Sequence, residues 1–452
     1  MTVELINGDA SPGTGSAAET SSQGSAAPAR SRPVILIFVA HYLPGFSSGG
    51  PVRSIANLVN CLGDEYDFRI VTSDRDLGDP QPFPGVRADV WTRVGKAGVL
   101  YTRVRPGWML RCRRILSDVR PDLLYINSFF GRSFSMAVLL AWWSTRSEER
   151  CGLLLAPRGE FSRAALGLKR RRKTIYIRLV KLLRSHSKAL WHASNPAEAA
   201  DILRALSHGD GIAVAGPISS AAPAVATALD VPPDWSGETR EFHPKAAGSL
   251  RIIFLARIVP MKNLAEALVA VRSLQGTIHF TVCGPREDER CWEQCRRLAE
   301  SMPANITVEM TGPVPHDQVR QTLLAHDVFL LPTLGENFGH GIAEALQAGC
   351  PVVISDRTPW RHLEERGVGW DLPLGDPAIF TRVLQHCADM ATDAFDHFRR
   401  RARAYGLSVS SDPRILDQNR QMLNAALKTQ PATVCDPMQG ADRLQLFSGE
   451  SR

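Results

Sequence analysis

The chain lacks any run of the ~20 consecutive apolar residues that a membrane-spanning helix needs. Its nine cysteines are scattered, and the close pair Cys291 and Cys295 has no second pair or histidine cluster beside it. A zinc site is therefore not predicted. Unpaired thiols are typical of a reducing compartment. These absences predict a cytoplasmic protein that is either soluble or rests on the cytoplasmic face of a membrane.

Two common nucleotide-binding motifs are also missing. The first strand–helix turns of the two halves read HYLPGFSSGGP and ARIVPMKN, neither contains G-x-G-x-x-G, and no Walker A motif occurs. This disfavours an NAD-dependent dehydrogenase, which would also have two α/β domains. The net charge of +7 indicates acidic partners. The basic run 168–191 has no helix-turn-helix, zinc-finger or RNA-recognition signature, so no nucleic-acid partner is predicted.

Unbroken apolar strands alternate with helical segments in two stretches of the chain. RPVILIFVA and CGLLLAP in the first stretch, and LRIIFLARI and CPVVISD in the second, are typical of parallel strands buried on both faces. The sequence therefore predicts an α/β protein with two Rossmann-like, doubly wound domains facing a central ligand cleft. The predicted divisions are a disordered tail (1–30), an N-terminal domain (31–217), a linker (218–249), a C-terminal domain (250–406), a terminal helix (407–428) and a second disordered tail (429–452).

The segment GENFGHGIAEALQAGCPVVISD at 335–356 places Glu336 on a glycine-rich loop and Glu344 on the helix that follows. The first N–H groups of such a helix have no internal partner and can bind a phosphate. Glu344 could accept hydrogen bonds from vicinal hydroxyls of a ribose, and Glu336 could reach a second hydroxyl-bearing group. A nucleotide diphosphate joined to a sugar satisfies all three features. For the segment alone, a capping glutamate and a solvent-facing one remain the alternative.

The segment LARIVPMKNL adds two cations on a loop after a buried strand. Arg257 and Lys262 could neutralise the charge that grows on a departing diphosphate. Two ordinary surface cations are the alternative for these residues taken by themselves.

The order Arg257…Lys262, VCGP, TGPVPHDQV and Glu-x7-Glu resembles glycosyltransferase family 4, whose members are retaining enzymes with the GT-B fold. The likeness covers about 250–400. The N-terminal half is similar more loosely, through HYLPGFSSGGPVRSIANLV and PDLLYINSFFG, and APRGEFSRAALGLKRRRK is similar to members that build bacterial surface polysaccharides. The resemblance implies that the C-terminal domain binds the donor, the N-terminal domain binds the acceptor, and the terminal helix packs back on the N-terminal domain.

The resemblance also implies roles for individual residues. Transition-state stabilisation falls to Glu336, Arg257 and Lys262. Donor binding falls to Glu344, Gly339, His340, Gly341, Gly284, Pro313, Val314, Gly49 and Gly50. Acceptor-side candidates are His41, Arg158 and Glu160, each of which follows a predicted strand; for His41, a structural role at a strand end is the alternative. The sequence departs from many relatives where Asn127 and Ser128 replace a histidine.

Together these features predict a retaining glycosyltransferase that moves a sugar from a nucleotide-diphosphate-sugar to a glycan or lipid-linked acceptor in polysaccharide biosynthesis. A non-catalytic GT-B-like module that binds a nucleotide or glycan is the alternative. No cofactor or metal is predicted, although Asp74 and Asp76 in SDRD form an Asp-x-Asp pair that a polar turn also explains. The basic, partly amphipathic segment 168–191 is either a contact with anionic lipid or a solvated helix face.

Overall fold

The computed structural model describes residues 4–5, 32–45, 47, 49–145, 151–162, 165–166, 170–182, 189–206, 224–228, 230–233, 235 and 242–428. These residues form two α/β domains, one around a nine-stranded sheet and one around a six-stranded sheet. The predicted fold class of two Rossmann-like, doubly wound domains is confirmed.

The N-terminal sheet has the order β1-β4-β5-β3-β2-β6-β7-β8-β9. Pairing is antiparallel from β1 to β5 and parallel from β5 to β9. The central strands β2 and β6 are buried at every position, because helices cover both faces of the sheet. The strands are β1 (Glu4–Leu5), β2 (Val34–Phe38), β3 (Asp67–Ser73), β4 (Trp91–Val94), β5 (Ala97–Thr102), β6 (Leu123–Asn127), β7 (Gly152–Ala156), β8 (Leu190–Ala193) and β9 (Ala224–Thr227).

The helices of this domain follow the strands along the chain. Helix α1 is capped by Gly49 and begins at Gly50, and it buries one apolar stripe, which includes Ile55 and Leu62, against the sheet. A single π-helical turn at Arg132–Met136 leads directly into α3. The helices are α1 (Gly50–Leu62), α2 (Trp108–Val119), α3 (Ala137–Ser144), α4 (Arg170–Leu182) and α5 (Pro196–Leu206).

The C-terminal sheet has the order β12-β11-β10-β13-β14-β15 and is parallel throughout. Its strands are β10 (Ser249–Leu255), β11 (Thr277–Cys283), β12 (Ile306–Gly312), β13 (Val328–Leu331), β14 (Val352–Ser355) and β15 (Gly369–Leu372). The helices are α6 (Leu264–Arg272), α7 (Glu289–Glu300), α8 (His316–Leu324), α9 (His340–Ala348), α10 (Pro377–Asp389), α11 (Thr392–Ser410) and α12 (Pro413–Lys428), with a 3-10 turn at Pro260–Lys262.

Both sheets reverse their strand order at one point, between β2 and β6 in the first and between β10 and β13 in the second. Ligands of doubly wound sheets bind outside the carboxyl ends of the strands at this reversal. The loops after β2, β6, β10 and β13 carry most of the residues singled out above. The topology therefore brings them to the junction of the two domains.

The predicted linker and domain ends need correction. Ala224–Thr227 lies within the predicted linker 218–249 but pairs as a parallel strand with β8. The predicted boundary between 406 and 407 falls inside α11, which runs to Ser410. The helix ends there because Pro413 opens α12 and the residue before a proline is forced out of helical geometry.

Helix α12 contacts the N-terminal domain. The guanidinium of Arg420 donates to both carboxylate oxygens of Glu65, at 2.7 and 2.8 Å, and the Tyr66 hydroxyl donates to Asn424 at 3.0 Å. Gly152 leaves room for this helix, because a Cβ there would lie 2.1 Å from the Ala426 carbonyl oxygen. Most of the predicted tails lies outside the described residues; the exception is β1, which pairs with β4, so the disorder predicted for 1–30 is wrong at Glu4–Leu5.

Candidate active site between the domains

Helix α9 begins at the domain junction with a glycine. Gly339 caps the helix with a φ of 84°, a left-handed conformation that glycine adopts without strain. A Cβ at this position would lie 2.8 Å from Cδ1 of Ile342. The helix has no side-chain cap among the described residues. The first N–H groups, those of His340 and Gly341, are therefore the ones that can bind an anion.

Glu336 and Lys262 meet directly in front of this helix. Lys262 ends the 3-10 turn after β10, and its ammonium forms a close ion pair with Oε1 of Glu336, each side chain being 14% exposed. The two loops are tied together by backbone contacts, including the Leu334 N–H, which donates to the Met261 carbonyl at 2.8 Å. The structure thus brings together two of the three residues that the resemblance assigns to transition-state stabilisation.

Arg257, the third of these residues, lies on the same loop as Lys262 and has a different partner. Its guanidinium donates to Oε2 of Glu287 at 2.9 Å, and its side chain is 42% exposed. Glu287 follows β11, the neighbour of β10. An exposed pair of this kind is weak, so the guanidinium can exchange Glu287 for an anionic ligand.

Glu344 lies fully buried inside α9. Its Oε2 accepts a close ion-pair contact from Arg53, which projects from α1 of the N-terminal domain and is 18% exposed. The other oxygen, Oε1, is buried without a hydrogen-bond partner among the described residues. A buried carboxylate oxygen in this state can accept a hydrogen bond from a further donor.

His340 makes a second contact between the domains. Its Nε2 lies 2.9 Å from the hydroxyl oxygen of Ser54 and 3.5 Å from Oδ2 of Asp230, while its buried Nδ1 has no partner among the described residues. Gly50 packs beside the imidazole, since a Cβ there would lie 3.7 Å from Cδ2. With Gly49 in a left-handed conformation at φ 65°, the start of α1 therefore faces the start of α9.

A third contact lies beside Glu336. The side-chain amide of Asn195 donates to the carbonyl of Asn337 at 2.6 Å, and Gly159 approaches so closely that a Cβ would lie 2.9 Å from Nδ2 of Asn337. Loops of the N-terminal domain therefore close over the loop that carries Glu336.

Arg158 is held in a buried network at the same junction. Its Nη1 donates to Asp230 at 2.5 Å, while the Tyr125 hydroxyl, Ser194 and Asn127 accept from the guanidinium at 2.9, 3.1 and 3.2 Å. Burial by itself would raise the pKa of Asp230, but the Arg158 guanidinium and His340 bring that pKa well below its usual value. The carboxylate therefore stays ionised and fixes the segment that connects the domains.

Glu160 has a similarly complete set of partners. It accepts from the Ser128 hydroxyl at 2.8 Å and from the N–H groups of Phe129 and Phe130 at 2.6 and 3.0 Å. It thus shapes the loop after β6, where the sequence departs from its relatives. His41 is half-buried, with Nδ1 3.2 Å from the Arg75 carbonyl. The acceptor-side roles of His41, Arg158 and Glu160 stay predictions.

Gly284 and the Pro313–Val314 turn lie at the ends of β11 and β12. Gly284 has a φ of 150°, and a Cβ there would lie 1.8 Å from the Ala256 carbonyl oxygen. Only glycine therefore fits between the adjacent strand ends. The contact of Gly284, Pro313 and Val314 with a nucleoside stays a prediction.

The Asp-x-Asp pair has internal partners. Arg75 donates to both oxygens of Asp74, at 2.8 and 3.2 Å, and Asp76 accepts from the Ser47 N–H at 3.1 Å. Over the part of the chain that the structure describes, no group of three or more His, Cys, Asp or Glu side chains could hold a metal ion.

Sequence reasoning missed several residues of this junction. Arg53, Ser54 and Asp230 have no local signal for their roles, although Arg53 and Ser54 lie one helical turn after the glycine pair Gly49 and Gly50. His316 opens α8 near Arg53 and Glu344; shielding of its ring from water, and then the Arg53 charge, lower the pKa of His316.

Two doubly wound domains that face each other across a cleft define the GT-B fold. A sucrose-phosphate synthase from Thermosynechococcus elongatus has this fold and superposes with a TM-score of 0.61 at 16% identity, covering 87% of this chain and 98% of that chain. HepE of Anabaena, solved in complex with UDP-glucose, superposes with a TM-score of 0.60 at 15% identity and the same coverage. At these identities the likeness shows the fold alone.

Residues 236–379 match the family model of glycosyl transferases group 1. The amylovoran biosynthesis glycosyltransferase AmsK of Erwinia amylovora is 32% identical over 155 residues, which make up 31% of this chain and 37% of AmsK. The putative colanic acid biosynthesis glycosyltransferase WcaL of Escherichia coli K12 is 32% identical over 167 residues, 35% of this chain and 40% of WcaL. The resemblance to group 1 glycosyltransferases is thereby confirmed. The chain spans about two-fifths of the length of these two relatives.

No helix within the described ranges is both long and apolar enough to span a membrane.

Proposed function

We propose that this protein is a retaining glycosyltransferase that transfers a sugar from a nucleotide-diphosphate-sugar to a glycan or lipid-linked acceptor in polysaccharide biosynthesis. The observation that carries the proposal is the placement of three groups around the start of α9. These are the Lys262–Glu336 ion pair, the buried Glu344 carboxylate with one unpartnered oxygen, and the uncapped N–H groups after Gly339. The names of the relatives AmsK and WcaL supply the polysaccharide context.

The donor would lie between the two helix starts. Its diphosphate would contact the N–H groups of α9 and the glycines that open α1, because both helix ends carry partial positive charge. Arg257 and Lys262 would add two full charges to this pocket. The free oxygen of Glu344 would accept a hydrogen bond from a ribose hydroxyl.

Transfer requires that the bond from the anomeric carbon to the diphosphate oxygen breaks as the acceptor hydroxyl attacks from the same face. The nucleoside diphosphate leaves with the bonding electron pair, and an oxygen of its departing phosphate takes the acceptor proton. Arg257 and Lys262 would stabilise the charge that develops on the diphosphate. Glu336 would orient the transferred sugar and, through its ion pair, Lys262. No protein nucleophile or metal is part of this proposal.

The acceptor would enter from the N-terminal domain. Of the three candidates, His41 is the one whose half-buried ring lies at the end of the central strand β2, while Arg158 and Glu160 are occupied by internal partners. We therefore assign acceptor contact to His41 and the shaping of its loop to Arg158 and Glu160.

A membrane surface would be the source of a lipid-linked acceptor. An apolar groove between α3 and α4 is lined by Leu140, Trp143 and Leu179 together with buried neighbours. Arg171, Arg172 and Arg178 are exposed on α4. Apolar side chains flanked by arginine are typical of helices that rest on anionic lipid. Cys112, Cys151 and Cys350 are buried as free thiols, in agreement with a place on the cytoplasmic face.

Thermal unfolding with UDP, GDP, ADP and CMP tests the donor site in wild type and in Glu344→Gln. Ligand at 100 times its dissociation constant adds roughly 2.7 kcal/mol of stability, so one diphosphate is expected to stabilise the wild type and to lose most of this effect in the variant. A wild type that responds to no nucleotide would refute the donor site. Binding without turnover of the matching nucleotide-sugars would favour a non-catalytic module.

Flotation with anionic and with zwitterionic vesicles tests the membrane contact. Wild type is expected to float with anionic vesicles only, and the double variant R171E/R178E to remain in solution. The double variant R297E/R382E, at exposed positions of α7 and α10, changes the charge by the same amount and is the matched control, which should float as wild type does. Equal flotation of wild type and R171E/R178E would exclude this surface.

A further inference from the structure

Arg53 provides the positive charge beside the most buried carboxylate of the site. Glu344 is fully buried, and its ion pair with Arg53 joins α9 of the C-terminal domain to α1 of the N-terminal domain. An ionised carboxylate is strongly disfavoured in such a place without a counter-charge. Within the described residues Arg53 is the cation that bonds to it. The charge state of Glu344 therefore depends on a residue from the other domain.

The ion pair also makes the two carboxylate oxygens of Glu344 unequal. Oε2 is bonded to Arg53, whereas Oε1 is buried without a partner. A buried acceptor that is left unsatisfied costs stability, and a ligand hydroxyl removes that cost. Arg53 thus leaves one oxygen in a fixed position for a single donor group.

Helix geometry explains how Arg53 reaches this position. Residues four apart share one face of a helix, so Arg53 lies one turn along α1 from Gly49, and Ser54 lies one turn along from Gly50. Ser54 bonds to His340, and Asn57 on the next turn donates to the Val231 carbonyl at 2.8 Å. One face of α1 therefore contacts the C-terminal domain through Arg53 and Ser54, and the segment that connects the domains through Asn57.

We propose that Arg53 is a positioning residue for the donor, holding Glu344 ionised and oriented so that its free oxygen accepts from a ribose hydroxyl. This inference rests on the proposed function of the same site. It differs from a purely structural role, because it assigns to Arg53 the discrimination between ribose and deoxyribose.

Calorimetric titration with UDP and with its 2′-deoxy and 3′-deoxy counterparts tests the proposal; GDP or ADP replaces UDP if it is the diphosphate that binds wild type. At pH 7, Arg53→Gln is expected to weaken binding of the ribonucleotide roughly ten- to hundredfold, the range for a hydrogen bond to a charged group. Binding of the deoxy form that lacks the bonded hydroxyl should change much less. Arg53→Lys should recover part of the loss, because it keeps the charge.

The pH profile supplies an independent readout. Without Arg53, the buried Glu344 carboxylate has no counter-charge, which disfavours its charged form, so the affinity of Arg53→Gln for the ribonucleotide should rise with pH. The other charged or titratable groups around this region are His316, His340, Asp317 and Asp230, and they are the same in both backgrounds. The double variant R53Q/E344Q keeps those four groups and is expected to lose the additional pH dependence.

The control is Arg420→Gln, which breaks an ion pair between α12 and the N-terminal domain away from the cleft and should bind as wild type does. The inference is overturned if Arg53→Gln binds the ribonucleotide as well as or better than wild type, or if R53Q and R53Q/E344Q share one pH profile. If Arg53→Gln does not fold, Arg53→Met decides, because it also removes the charge and keeps an apolar stem; undiminished ribose discrimination in that variant would equally overturn the inference. A wild type that binds no diphosphate refutes the proposed function instead.

Discussion

Removal of the charge at Asp230 should destabilise the protein much more than removal of an exposed carboxylate. Asp230 and Arg158 are 7% and 10% exposed, and their ion pair fixes the segment between the domains. Asp230→Asn keeps the shape of the side chain but leaves a buried guanidinium without its counter-charge, which costs about 3–5 kcal/mol. For a domain of this size the cost corresponds to a fall in Tm of about 6–20 °C.

Differential scanning calorimetry at pH 7 measures this effect on the N-terminal domain. The matched control is Asp201→Asn, which breaks the exposed ion pair with Arg204 and should cost under ~1 kcal/mol. The reasoning is that Asp230→Asn leaves the Arg158 guanidinium buried without a counter-charge. A fall in Tm for Asp230→Asn no larger than that of the control would refute it.

The pH dependence gives a second check on the same residue. The folded-state pKa of Asp230 lies below its unfolded value, because Arg158 and His340 outweigh the effect of burial. Its stabilisation is therefore complete above the unfolded pKa of about 3.9 and is lost progressively as the pH falls below it. The gap in Tm between wild type and Asp230→Asn should narrow below about pH 4.

Three further predictions concern the site and its frame. Lys262→Met is expected to lower kcat roughly 10²–10³-fold with a smaller change in KM. An unchanged kcat would show that neither Lys262 nor its pairing with Glu336 stabilises the transition state. Gly284→Ala places a Cβ 1.8 Å from the Ala256 carbonyl oxygen and should cost more than about 1 kcal/mol in thermal unfolding; a wild-type Tm would contradict the close approach. Burial, and then a nearby guanidinium, lower the pKa of His192 to about 4, so stability should fall as the pH drops from about 6.5 toward 4. His192→Gln should abolish that part of the pH profile, and an unchanged profile would contradict it.

The local sequence pattern was enough to predict the parallel strands of both domains. The sequence predicted strands near Val34–Phe38 and Val352–Ser355 because their apolar character extends over the whole element. It did not predict the hairpin of β4 and β5, Trp91–Val94 and Ala97–Thr102, because these short strands are defined by pairing with each other and with β3. Strand formation of this kind depends on neighbours more than on intrinsic propensity.

The candidate site was predicted unevenly. Lys262 and Glu336 could be predicted as partners only through the resemblance, since 74 residues separate them and no local rule joins them. Arg53 and Glu344 are 291 residues apart and were not predicted to meet. For Arg158 the sequence predicted a contact with the acceptor, because the residue follows a strand. In the structure its guanidinium instead bonds to Asp230 and to three hydroxyl or amide groups of the protein.

By itself, the sequence determined the alternation of strands and helices, the glycines that open α1 and α9, and the chemical identity of the groups that follow them. These features depend on residues close together in the chain, where periodicity and backbone geometry act. Tertiary structure alone decided that Glu344 is buried, that its counter-charge comes from the other domain, and that the Pro-rich segment before β10 contributes Asp230 to the junction. Burial and ion pairing arise from distant parts of the chain being packed together, and no local pattern records them.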